Sequence, residues 1–131
     1  MTTIAEQMKE MLFDDDRDQV AIARKHNVHE NTIGGIIRGK QRSGLPLAMS
    51  YVAERGWRWK LAGKDFPGDP AQQLRCAIAE SGLTVRQLTE AARCDSRAIC
   101  DLMTGVRNPH TKTIDSVAVA LGLRWILVEA K

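Results

Sequence analysis

The stretch LTVRQLTEAARCDSRAICDLMTGVRNP, Leu83 to Pro109, contains two short amphipathic periods broken by a tight turn. Thr84 opens the first, because its hydroxyl can accept a hydrogen bond from a free amide in a helix's first turn. That helix is predicted over 85–92, with Leu88, Ala91 and Ala92 inward. Asp95 caps the next in the same way, with Ile99, Leu102 and Met103 inward and Gly105 closing it. A loop from Val106 to His110, containing Asn108-Pro109, follows.

On either side of this stretch the helical period continues. Leu74, Ala77 and Ile78 predict a helix over 71–80, ended by Ser81-Gly82. A further helix near 112–121 buries Ile114, Val117, Ala118 and Leu121, and Gly122 stops it. The period then falls to two. Leu123, Trp125 and Leu127 alternate with Arg124, Ile126 and Val128, and the second face is also apolar, as for a strand covered on both sides.

The same series stands 66 residues earlier. Residues 5–61 lie over 71–127 without a gap, and nine of 57 positions are identical. GWRWKL at 56–61 falls on GLRWIL at 122–127, Ile33 on Ile99, Gly39 on Gly105 and Ser50 on Ser116. Inward residues follow suit: Ile4, Met8, Met11 and Leu12, then Ile22 and Ala23, then Ile33, Ile36 and Ile37, then Leu47, Tyr51 and Val52. Asp18, and His29 or Asn27, mark the helix starts. Trp57, Trp59 and Leu61 alternate with Arg58 and Lys60 as the first strand. Two copies of one unit explain this pattern, with residues 63–70, holding two Gly, two Pro and two Asp, as the linker. Each unit is near the lower size limit for its own core, so the halves are expected to pack on each other or on a second chain. A lone strand cannot satisfy its backbone groups. Trp57, Trp59, Leu61, Trp125, Ile126, Leu127 and Val128 are therefore the expected assembly interface.

The 131 residues are 44% hydrophobic and 27% charged, enough for one average domain or two small ones. A net charge of +3 permits a nucleic-acid partner without demonstrating one. Three cysteines, Cys76, Cys94 and Cys100, give neither a disulfide framework nor a zinc site, which implies a reducing, cytoplasmic setting. The opening MTTIAEQMKE lacks the basic start and apolar core of a secretory signal. No apolar run approaches the roughly 20 residues that span a bilayer, so no membrane association is expected. With no Ser-His-Asp set, metal cluster or phosphate loop at usable spacing, neither enzyme activity nor a cofactor or metal is expected.

The short turn and the closing Gly bring a resemblance into view. Residues 83–109 resemble the Cro/cI-type helix-turn-helix family of phage-repressor-like regulators: polar helix start, Leu, small residue, turn, Ile and a Gly-x-x-Asn-Pro ending. DRDQVAIARKHNVHENTIGGIIRGK, 16–40, is similar through Gln19, Ala23, Val28, Thr32, Ile33, Ile36, Arg38, Gly39 and Lys40. The trailing strand is similar to that of antitoxin-type members. The resemblance implies a mainly α fold: two tandem four-helix lambda-repressor-like helix-turn-helix domains, 1–62 and 71–131, each followed by a short β-strand that pairs.

It also implies a sequence-specific double-stranded-DNA-binding transcriptional regulator, a repressor acting by operator occupancy as a homodimer or an intramolecular pseudodimer. The base-facing positions fall on Glu30, Asn31 and Gly35, and on Ser96, Arg97 and Asp101. Phosphate contacts fall on Gln19, and on Arg38, Lys40, Arg42, Arg107, Asn108, His110 and Lys112 in the loops after each third helix. Two other functions compete: an autoregulating antitoxin that also binds a toxin protein, which the family supports, and an adaptor whose repeats hold protein partners and no longer read DNA, which the acids on the third helices favour.

Blander readings compete at several residues. Asp14-Asp15-Asp16-Arg17-Asp18 has no ion-loop spacing and reads as a solvated turn ending in an N-cap. His26 reads as a packed histidine, Cys94 as core, Cys100 as an exposed thiol, and Trp59 and Trp125 as core or interface. Gly34-Gly35 in mid-helix costs about 1–2 kcal/mol of helix stability. It marks either close backbone approach to DNA or a weakened reader.

Overall fold

The computed structural model describes residues 3–106 and 109–130, and eight helices and two strands are seen among them. They run α1 Ile4–Asp14, α2 Gln19–Lys25, α3 Glu30–Ile37, α4 Leu45–Glu54, β1 Trp57–Leu61, α5 Pro70–Ser81, α6 Val85–Ala92, α7 Ser96–Thr104, α8 Thr111–Ala120 and β2 Trp125–Glu129. Four helices and a strand thus occur twice in the same order.

Local chemistry sets most of the boundaries. Asp18 accepts from the Val20 amide, and His29 Nδ1 accepts from Asn31 N, which makes His29 the α3 cap while Asn27 takes a left-handed turn at φ 55°. Asp69 with Gln72, and Thr84 with Gln87, form reciprocal capping boxes, and Asp95 accepts from Ala98 N at 2.8 Å. Pro70, grouped with the linker on sequence, is the first residue of α5, where its missing amide hydrogen costs nothing. Gly82 and Gly105 end their helices in the left-handed conformation.

The strands pair with each other. They form an antiparallel two-stranded sheet with Trp57 opposite Glu129, Lys60 opposite Ile126 and Leu61 opposite Trp125. Lys60 and Ile126 are also 66 residues apart, so this rung of the ladder joins a residue to its own repeat counterpart. The flanking contacts obey the same two-fold relation. Gln7 Nε2 donates to the Trp125 carbonyl at 2.7 Å, and its counterpart Gln73 donates to the Trp59 carbonyl at 2.8 Å. Each half's first helix is thereby fastened to the other half's strand.

One apolar core serves both halves. Ile4, Met8, Leu12, Ile22, Ile33, Ile36 and Tyr51 join Leu74, Ile78, Leu88, Ile99, Leu102, Ile114 and Val117 in it, with Trp59, Leu61 and Trp125 from the sheet. Three inward expectations fail: Ala91, Met103 and Trp57 are exposed. Met103 lies in the last turn of α7, and Trp57 is the first residue of β1. Ile126 and Val128 are only half-buried, because helices cover one face of the sheet and Arg58 and Lys60 lie on the other. Leu121 and Leu127 are half-buried too.

The acidic turn is corrected at Asp15 alone, since Asp14, Asp16 and Asp18 are exposed and Asp18 caps α2. The Asp15 carboxylate is 3% exposed and accepts from Arg17, from Arg55 at 2.9 Å and from the Tyr51 hydroxyl at 2.6 Å. Arg17 above all holds this carboxyl far below the usual carboxylate range. Arg17 also grips Glu54, whose other partner is His26, so Glu54 is likewise lowered. Burial, with the bond to Asp15, pushes Tyr51 up to about 12. The counterparts of Asp15, Arg17, His26, Tyr51, Glu54 and Arg55 are Ser81, Leu83, Ala92, Val117, Ala120 and Leu121. This network therefore belongs to the first half alone.

Candidate nucleic-acid interface

Helix α3 packs on α1 and α2, and α7 packs on α5 and α6, which leaves one side of each third helix to solvent. On α3, Glu30 and Asn31 are exposed, whereas Gly35 is buried beneath the Gln41 side chain. On α7, Ser96 and Arg97 are exposed and Asp101 is half-buried. Arg97 and Asp101 border a hollow of about 310 Å³ whose opposite wall holds His110 and Thr113.

Among the described residues, the expected phosphate-contacting groups are all at the surface. Gln19, Arg38, Lys40, Arg42, His110 and Lys112 are all exposed, while Arg107 and Asn108 lie outside the described residues. Arg42, His110 and Lys112 line a single cleft of about 750 Å³, although they come from opposite halves. The loops meet because Thr111 Oγ1 donates to the Ser43 carbonyl at 2.5 Å, and Arg42 Nη1 lies 3.8 Å from Asp115.

Asp115 is the hinge of this junction. Its oxygens accept from the amides of Ile4 at 2.8 Å and Ala5 at 3.1 Å, so a side chain of α8 caps α1. Burial pushes its carboxyl up, against those two hydrogen bonds.

Sequence reasoning passed over Arg93 and Gln41. Arg93 is exposed in a left-handed turn at φ 54° and lines the same cleft. Its position matches Asn27, which also turns left-handed, and that correspondence was the available signal. The α4 and α8 N-termini border the cleft without a side-chain cap, adding partial positive charge to Arg42, Arg93 and Lys112. Against them stands Asp95, already engaged with Ala98 N. The large cleft and the smaller hollow share Asp95, Ala98, His110 and Thr113, so the cationic surface runs up to the exposed side of α7.

Of the expected assembly residues, Trp59, Leu61 and Trp125 are buried inside the chain, the Trp59 indole donating to the Ala48 carbonyl at 3.0 Å, while Ile126, Leu127 and Val128 are half-buried and Trp57 is exposed. Cys100 is exposed, and Cys94 is half-buried against the core. His26 is 4% exposed at its side chain, between Ser50 and Glu54. Among the described residues no helix is long and apolar enough to cross a membrane.

No family model, no curated protein and no solved structure matches this chain.

Proposed function

We propose that the chain is a sequence-specific binder of double-stranded DNA, built as an intramolecular pseudodimer of two helix-turn-helix units, and that it acts as a repressor by occupying its operator. The observation that carries this reading is the pairing of Lys60 with Ile126. Two-fold symmetry is how dimeric helix-turn-helix proteins address successive major-groove segments, and the ladder carries a two-fold relation between the halves. The cleft between the halves supports it, since Arg42, Arg93 and Lys112 offer the charge that duplex phosphates require.

The two reading sets differ: Glu30 and Asn31 on α3, against Ser96, Arg97 and Asp101 on α7. An Asn suits adenine, an Arg guanine, and a carboxylate the cytosine amino group. The preferred site is accordingly asymmetric. Selection of bound duplexes from a random pool tests the proposal, together with the stoichiometry of the complex and its salt dependence. One chain per asymmetric site, with log affinity falling by about 0.9 per neutralised phosphate on a log-salt scale, is the expected result. A flat salt response with no selected sequence overturns it in favour of a protein-binding adaptor.

A further inference from the structure

Helix α3 lacks side chains at two adjacent positions, and side chains from elsewhere occupy the space. A Cβ on Gly35 would lie 2.8 Å from Oε1 of Gln41 and 3.0 Å from its Cδ. A Cβ on Gly34 would lie 2.9 Å from Oε1 of Gln19 and 3.0 Å from Nη1 of Arg38. Both glycines are buried, and the three residues over them are exposed. Each polar end arrives from a different place. Gln19 starts α2, Arg38 ends α3 and leans back one turn as long helical side chains do, and Gln41 follows in the loop. The Gln41 amide nitrogen also donates to the Gly35 carbonyl at 3.3 Å, holding its backbone at the same residue that its side chain covers.

We propose that Gln19, Arg38 and Gln41, lying across this diglycine saddle, are base-reading groups of the first half, standing where side chains of α3 would otherwise reach the groove. The inference rests on the DNA-binding reading above and reassigns Gln19 and Arg38 from phosphate to base edges. The chemistry suits the task. A glutamine amide pairs with adenine N6 and N7 through two hydrogen bonds, and a guanidinium pairs with guanine O6 and N7. Two glycines weaken the helix relative to alanine, but they let these ends lie flat on it.

The test uses the full chain, the duplex selected from the random pool, and the variants Gln41→Ala and Gly35→Ala. Gln41→Ala is expected to lose about 5- to 150-fold of the preference at one base pair and to keep the salt slope of the unsubstituted chain. Gly35→Ala displaces the Gln41 side chain. It is expected to relax the same base pair while its thermal midpoint holds or rises. If the unsubstituted chain selects a duplex and both variants keep its preference at every position, the saddle assignment is overturned and the DNA-binding reading stands. If the unsubstituted chain selects no duplex, the DNA-binding reading falls, and the saddle assignment with it.

Discussion

Lys60 stands directly opposite Ile126 in the antiparallel ladder, and each is the other's counterpart in the 66-residue repeat. In a dimer of identical chains this position would pair with its own copy; here the chain supplies both partners. The expected consequence is a protein that sediments at the mass of one chain across the micromolar range. Sedimentation at the mass of two chains would contradict it.

The two buried tryptophans of the sheet are equivalent in sequence and unequal in bonding. Trp59 Nε1 donates to the Ala48 carbonyl, whereas Trp125 Nε1 has no hydrogen-bond partner among the described residues. Leaving a buried polar group without a partner costs about 1–3 kcal/mol. Trp59→Phe should therefore destabilise the chain more than Trp125→Phe, by about 1 kcal/mol or more. Urea denaturation of the two variants measures the difference, and equal losses would refute it.

Stability should fall at both ends of the pH scale, for reasons traceable to one network. Asp15 and Glu54 are lowered by Arg17, so the stability they contribute is present above the ordinary carboxylate value near about 4 and is lost as pH falls through their folded values. Asp15→Asn should lower the melting temperature at pH 7, and the gap should narrow as pH falls below about 4. Tyr51 is raised to about 12, so its contribution is intact below its ordinary value of 10.0 and is lost as pH rises toward 12. A shift of that size is worth about 2–3 kcal/mol. Tyr51→Phe should flatten this alkaline limb in melting curves.

Much of this architecture was legible before the coordinates, and the reason is locality. Thr84, Asp95 and Gly105 fix helix ends through contacts within a few residues, and the change of period after Leu121 announces a strand. Distant relations were not legible. Nothing near Asp15 announces that Tyr51 and Arg55 will close over it, and a run of acids ordinarily favours solvent. Nothing near Asp115 announces a second helix's amides. The polar cover on Gly34 and Gly35 was equally hidden, since it comes from α2 and from the loop beyond α3. Met103 and Ala91 fit the helical period but fall where no neighbouring element covers them.

Asp115→Ala tests the junction between the halves. It leaves the amides of Ile4 and Ala5 without their acceptor, which should cost about 1–3 kcal/mol. Hydrogen exchange at the start of α1 should accelerate before global unfolding does. Unchanged protection of those amides would show that the cap contributes little.

Two cations should behave differently if the proposed interface is right. Arg97→Ala should relax the preference at one base pair by about 1–3 kcal/mol, whereas Lys40→Ala should weaken all duplexes alike and lower the salt slope by about 1. Binding by both variants indistinguishable from the unsubstituted chain would remove these residues from the interface.

Because the ladder closes within a single polypeptide, dilution cannot part the halves, and assembly needs no encounter between molecules. There is a genetic corollary. In a symmetric dimer every substitution appears on both sides at once, but here Lys60 faces Ile126, two different residues at the position where identical chains would set one residue against its own copy. Each side is free to drift on its own. The charged network around Asp15 has no equivalent at Ser81, Leu83 and Val117, so the two sides have already parted within one gene.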